Sequence, residues 1–173
     1  MEKLTDKDFD QMYALLQQSF IKDELRPYEA QKALFGEPLY HVFAEREADG
    51  EQMIAFIAVW DFTDFVFIDY FAVHPAFRNR RLGEKMLQDL AHLTPKDICL
   101  EIETPRDELT FRRLHFYKRN HFVLCPFNYK QPPIAKGNAP VSLSLMSTQK
   151  ITDKDDFERI CKEIYVYAYK RFN

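Results

Sequence analysis

Two apolar runs, Met53 to Asp61 and Phe65 to Val73, follow one another with only Phe62-Thr63-Asp64 between them. Both are rich in β-branched and aromatic residues, and the second is nearly continuous, the pattern of a strand buried at the centre of a sheet. Upstream, Leu39 to Glu47 has strand-forming composition, and Ala48-Asp49-Gly50 turns the chain toward Met53. These residues predict a hairpin, and with Phe65 to Val73 they predict three antiparallel strands in a row.

Helical patterns flank that core. Thr5-Asp6-Lys7-Asp8 has the form of a capping box with Asp in place of Glu, and Phe9, Met12, Tyr13, Leu16 and Phe20 recur behind it at helical spacing. Pro27 predicts the start of a short second helix that Gly36 and Pro38 end. After His74-Pro75, the residues Leu82, Met86, Leu87, Leu90 and Leu93 mark a helix that stops near Pro95. Asp97 to Glu103 reads as a strand. A helix carrying Leu109, Arg113, Phe116 and Tyr117 then runs to about Asn120, and Phe122-Val123-Leu124 begins another strand. Residues 126 to 140, with Pro126, Pro132, Pro133, Gly137 and Pro140, read as an ordered loop or lid. Val141 to Met146 is a final strand. The tail predicts an amphipathic helix with Thr152 as N-cap and Phe157, Ile160, Ile164, Ala168 and Phe172 on one face. This order predicts an α/β (α+β) chain, a mixed sheet with helices packed against it, in a single domain.

Composition narrows what such a domain does. Its 173 residues are 46% hydrophobic and 15% aromatic, enough for a real core. A formal net charge of -3 argues against a polyanion as main partner, hence no nucleic acid. Cys99, Cys125 and Cys161 are odd in number, widely spaced and without CxxC or Cys/His spacing. They suggest neither a disulfide framework nor a metal site, and point to the cytoplasm. Charged and polar residues interrupt every apolar run before membrane-spanning length, and the N-terminus lacks a signal-peptide core, so neither membrane nor export is expected.

The segment from Phe71 to Leu87 carries the chemistry. A buried strand runs through His74-Pro75 into the basic turn Arg78-Asn79-Arg80-Arg81 and then a helix. A helix N-terminus presents unpaired N–H groups and the positive end of its dipole. Gly83 lets a ligand approach the backbone, and Arg78, Arg80 and Arg81 add positive charge. A diphosphate suits this arrangement, although three arginines opening a helix also make an ordinary solvated face.

Here the sequence resembles the GNAT superfamily, the acetyl-CoA-dependent N-acetyltransferases, whose strand ends in Ala-Val-His-Pro and is followed by Arg/Gln-x-x-Gly-x-Gly/Ala. Arg78 and Gly83 match that motif, whereas Asn79 and Arg81 stand where glycines are common. Leu100-Glu101-Ile102 is similar to the family's Leu-Glu-Val strand. Phe116-Tyr117-Lys118-Arg119-Asn120-His121-Phe122 resembles Phe/Leu-Tyr-x-x-x-Gly-Phe, with His121 in the glycine place. The likeness covers residues 1 to about 147 and is strongest between 65 and 123. It implies a GNAT-like, mostly antiparallel sheet of about seven strands, with a core at 1–147 and a helical extension at 148–173. It also implies acetyl-CoA as co-substrate, with no metal. The amides of residues 78–83 and the neighbouring Glu84 would hold the pyrophosphate, with Leu82 and Gly83 at the helix start. Phe71, Ala72 and Val73 would pair with the pantetheine arm.

By the same resemblance Tyr117 is the general acid that protonates the leaving thiolate, and Glu101 the preferred base, acting in some members through a water. Glu103 shares the face of Glu101 by the two-residue period, and Asp69 on the neighbouring strand is a third carboxylate that a base or a cation-binding role would suit. Thr110 occupies a place where many members carry a cofactor-touching Asn. Asn128-Tyr129-Lys130-Gln131-Pro132-Pro133 resembles a stretch in one bacterial branch of the superfamily and borders the expected acceptor site; with Trp60 and the many Phe residues it suggests an aromatic-lined pocket, although aromatic runs are more often plain core. Cys99 and Cys125 have no His at meaningful spacing and read as buried thiols.

Direct transfer of acetyl to a primary amine of a small molecule or peptide is the leading expectation. A non-catalytic acyl-CoA sensor of the same fold is the alternative, consistent with the missing glycines, and a partner-binding protein using the C-terminal helix is a third reading. A homodimer is compatible with the sequence, and the acceptor is left open.

Overall fold

The computed structural model describes residues 1–134 and 139–169. Backbone contacts divide the chain into two compact units. The first comprises Met1–Asp61 and Ile68–Pro95; the second comprises Phe62–Phe67 and the chain from Lys96 onward.

In the first unit the short strand β1 (Glu2–Lys3) leads into the Thr5–Asp8 capping box and helix α1 (Phe9–Ser19). Phe9, Met12, Leu15 and Leu16 are its buried face. Phe20 lies just beyond the helix and meets the Tyr70 ring edge-on at 5.1 Å. Pro27 precedes α2 (Tyr28–Ala33), which tightens into a 3-10 turn over Leu34–Gly36. Strands β2 (Tyr40–Arg46) and β3 (Met53–Asp61) form the expected hairpin, pairing antiparallel from Tyr40 opposite Trp60 to Glu45 opposite Ala55. β4 (Phe65–Val73) follows, its residues from Ile68 onward belonging to this unit, and after a 3-10 turn at Pro75–Phe77 comes α3 (Leu82–Leu93). The strand order in this unit is β1-β2-β3-β4.

β3 is buried on both faces from Ala55 through Trp60, and its fully buried side chains each contribute about 1.5–3 kcal/mol if they are as large as Phe or Ile. Trp60 is among them, its ring 5.0 Å from that of Tyr40. The expectation that it lines a pocket is therefore corrected: Trp60 is core.

The second unit holds β5 (Asp97–Glu103), α4 (Glu108–Arg119), β6 (Val123–Leu124), β7 (Tyr129–Gln131), β8 (Val141–Ser147) and α5 (Lys154–Ile164). β8 is its organiser, with β5 antiparallel along one edge while β6 and β7 share the other. The eight strands are mostly antiparallel, one more than the sequence suggested, because pairings as short as β1 and β7 have no periodicity to read.

The tail is helical as expected, and Phe157, Ile160 and Ile164 are buried in the unit to which the tail belongs, with Phe157 5.1 Å from Phe127. Its N-cap is Asp153 and not Thr152: the Asp153 carboxylate accepts from the Asp155 and Asp156 amides at 2.9 and 3.1 Å. α5 passes into a wider π-type turn over Tyr165–Tyr169 that buries Ala168 and Tyr169. Gly137 and Phe172 lie outside the described residues. Among the described residues no helix is long and apolar enough to cross a membrane, and no cluster of three His, Cys, Asp or Glu could hold a metal ion.

Candidate functional site

In the first unit the end of β4 feeds the basic turn. Arg78 folds back so that its Nε donates to the Val73 carbonyl at 3.1 Å, and Arg80 lies over the Phe77 ring at 5.0 Å. Arg78, Asn79, Arg80 and Arg81 are all exposed. Asn79 and Arg81 have φ of 62° and 58°, the left-handed region that costs an L-residue about 1–2 kcal/mol. Both are positions where the motif that the sequence resembles commonly has glycine, so the turn keeps the backbone conformation without the residue that adopts it most easily.

Arg81 is the N-cap of α3, and no side chain caps that helix. The Arg81 carbonyl already accepts from Lys85 N at 3.0 Å, while the first-turn amides at Leu82, Gly83 and Glu84 have no side-chain acceptor. Asp107 and Asp153 cap α4 and α5, while α1 and α2 also start without a side-chain cap, so what sets α3 apart is the left-handed basic turn before it. An uncapped helix start behind a left-handed turn, with three arginines about it, fits a diphosphate. Phe71 and Val73 are half-buried and Ala72 is buried at the strand end leading into this turn.

The fifth residue from the end of β4 has another role. Asp69 is buried and accepts two parallel hydrogen bonds from the fully buried Arg26, at 2.8 and 2.9 Å, and one from Tyr40 Oη at 3.1 Å. Gln31 joins the cluster by donating to Tyr40 Oη at 2.9 Å. The structure thus places Asp69 in a buried ion pair that ties the segment before α2 to β4.

In the second unit His121, with φ of 69°, completes the set of left-handed non-glycine residues described. It ends α4 in a Schellman motif. The Phe122 amide donates to the Tyr117 carbonyl at 3.0 Å, the His121 amide to the Lys118 carbonyl at 3.2 Å, and the Phe122 ring packs 5.7 Å from that of Tyr117. The motif Tyr-x-x-x-Gly/His-Phe is therefore a helix ending that fixes Tyr117 through its own carbonyl and ring. Burial pushes the Tyr117 phenol up to about 12, with Arg113 acting in the opposite sense, so it is a proton donor at neutral pH.

Glu101 and Glu103 both lie on β5 but meet different partners. Glu103 forms a close ion pair with Arg113 of α4. Glu101 accepts from Tyr129 Oη, from Gln131 Nε2 at 3.0 Å and from Tyr169 Oη at 2.6 Å. Tyr129 and Gln131 alternate onto one face of β7, and a phenol is long enough to reach past β8 to β5. Residues 126–140 read as a loop or lid in the sequence, so the strand face that Tyr129 and Gln131 share on β7 was not expected, and Tyr169, four residues past Tyr165 in the tail, had no signal connecting it to Glu101.

Thr110 is buried within the α4 capping box. Its hydroxyl accepts from the Arg106 and Asp107 amides, each at 3.0 Å, and lies 2.9 Å from Asp107 Oδ1. Its polar capacity is spent on starting the helix. The three cysteines are buried, and burial pushes the Cys99 and Cys161 thiols up to about 12, leaving them poor nucleophiles.

Comparison with known proteins places this arrangement. The sequence pattern of the acetyltransferase (GNAT) family matches residues 9–122. The protein called "Putative acetyltransferase YjbC" of Bacillus subtilis (strain 168) is 28% identical over 166 residues, covering 91% of this chain and 82% of that one. A solved structure from Bacteroides thetaiotaomicron, entitled "Putative acetyltransferase from GNAT family", is 30% identical, covers 97% of each chain and has a TM-score of 0.89. The fold is shared more distantly by Arabidopsis thaliana NAA60 in complex with acetyl-CoA, at 11% identity, 84% of this chain, 95% of that one and a TM-score of 0.64.

Proposed function

Because the chain belongs to the GNAT acetyltransferase family, we propose that it transfers an acetyl group from acetyl-CoA to a primary amine of a small molecule or peptide by direct attack. The observation that carries the reading is the left-handed Asn79–Arg81 turn opening an uncapped helix. Left-handed strain and uncapped first-turn amides coincide at this turn with three arginines, a combination suited to an anionic ligand.

Acetyl-CoA, when bound, supplies an acyl group activated as a thioester. The amides of Leu82, Gly83 and Glu84, the turn at Arg78 and Asn79, and the charges of Arg80 and Arg81 grip its diphosphate. The main chain of Phe71, Ala72 and Val73 pairs with the pantetheine arm, and an N–H there polarises the reacting carbonyl. Tyr117 donates a proton to the departing thiolate. Glu101 takes the proton that the amine, largely an ammonium ion at neutral pH, must lose. Glu103 and Asp69 are assigned supporting parts, one paired with Arg113 and the other with Arg26. The engaged hydroxyl of Thr110 supports α4 and leaves the cofactor to the α3 turn.

Release of free thiol from acetyl-CoA in the presence of a panel of amines tests the reading. Thiol release that depends on both substrates is the expected result. Stabilisation by acetyl-CoA without transfer to any amine favours the sensor alternative, and absence of both removes the proposal.

A further inference from the structure

Glu101 is half-buried, yet three donors converge on it from two elements. Tyr129 Oη donates to Oε1; Gln131 Nε2 and Tyr169 Oη donate to Oε2. The arrangement closes on itself, because Gln131 Nε2 also donates to Tyr169 Oη at 2.9 Å. The two N–H groups of one amide thus serve the carboxylate and the phenol that also donates to it. Tyr129 and Tyr169 are each 2% exposed, so both phenols give their protons to this carboxylate from inside the protein.

The π-type turn belongs to the same device. Tyr165 Oη donates to the Lys130 carbonyl at 2.6 Å, which fastens the turn to β7 at the residue between Tyr129 and Gln131. Tyr165 and Cys161 also lie near enough to feel the charge of the Glu101 carboxylate, as do Tyr129 and Tyr169. A carboxylate's terminal torsion is otherwise broad, and a misplacement of about 1 Å in a reacting group can cost about a hundredfold in rate.

Resting on the proposed role of Glu101, we propose that Tyr129, Gln131 and Tyr169 are positioning residues that clamp the Glu101 carboxylate in the orientation in which it takes the amine proton. The turn after α5 is then part of the reaction machinery. No bond is made or broken by the clamp; the proton moves from the attacking nitrogen to Glu101.

The test combines two readouts on the full chain labelled with [5-13C]glutamate, with the Glu101 resonance assigned by its loss in Glu101→Gln. Removing a donor that favours the charged carboxylate should raise its titration midpoint by about one unit in Tyr169→Phe and in Gln131→Ala. With acetyl-CoA and spermidine as the probe pair, kcat should fall about tenfold in both variants while KM for acetyl-CoA stays constant, and the acid limb of the profile should move to higher pH. An unchanged midpoint in both variants overturns the clamp. A shifted midpoint with unchanged kcat overturns its positioning role alone. Wild-type turnover by Glu101→Gln overturns the base role of Glu101 and the positioning role with it.

Discussion

The three left-handed side chains mark where this protein departs from its family and how it tolerates the departure. Asn, Arg and His at 79, 81 and 121 occupy glycine places while holding glycine-like backbone. Asn is the easiest of these, since it visits the left-handed region more readily than most residues. His121→Gly should therefore leave stability unchanged or raise it by about 1 kcal/mol, the relief of strain being partly offset by the freer unfolded chain, whereas His121→Val should lose about 1–2 kcal/mol in urea unfolding. The same Schellman ending holds Tyr117. Tyr117→Phe keeps the ring contact with Phe122 and removes only the phenolic proton, so kcat should drop about a hundredfold with KM for acetyl-CoA unchanged. Because burial raises that phenol to about 12, its loss of proton should leave turnover flat between pH 8 and 10, within the range a kinetic profile reads directly.

Among the elements, α3 and α4 differ in how they begin. The Thr110 amide holds the Asp107 carboxyl below its usual range, helped by the Thr110 hydroxyl. A folded value below the unfolded one stabilises the protein above the ordinary Asp range, and that contribution vanishes as pH falls through the folded value. Asp107→Asn should accordingly flatten the decline of stability with acid below about pH 4. Asp69 makes a stronger demand: Asp69→Ala strands a fully buried Arg26 and should cost about 3–5 kcal/mol, measured by denaturant unfolding.

These elements also show what a sequence discloses. β3, β4, α3 and β5 were legible to the residue because apolar periodicity and turn residues bound them. The turn at 78–83 was legible as chemistry because charge, a proline and a helix start coincide there. Arg26 was invisible, because a buried arginine is announced only by a carboxylate 43 residues away. The Glu101 clamp was hidden: the three-residue strand that turns Tyr129 and Gln131 to one face lies in a proline-rich stretch that reads as a loop, and Tyr169 reaches the carboxylate from 68 residues downstream through a π-type turn that has no sequence signature.

At the scale of the whole molecule, the residues proposed to grip the cofactor belong to the first unit and those proposed to move protons to the second. Substitutions in the α3 turn should act on affinity for acetyl-CoA, and those at Tyr117 and Glu101 on turnover. The central claim concerns the diphosphate, and S-acetylpantetheine, which carries the same thioester without it, isolates that group. Thermal unfolding with acetyl-CoA at a hundred times its dissociation constant should show about 2.7 kcal/mol of stabilisation, a rise of about 5–10 °C for a chain of this size. S-acetylpantetheine at the same concentration should give little or no rise. Equal stabilisation by the two compounds, or none by acetyl-CoA at millimolar concentration, would contradict the account.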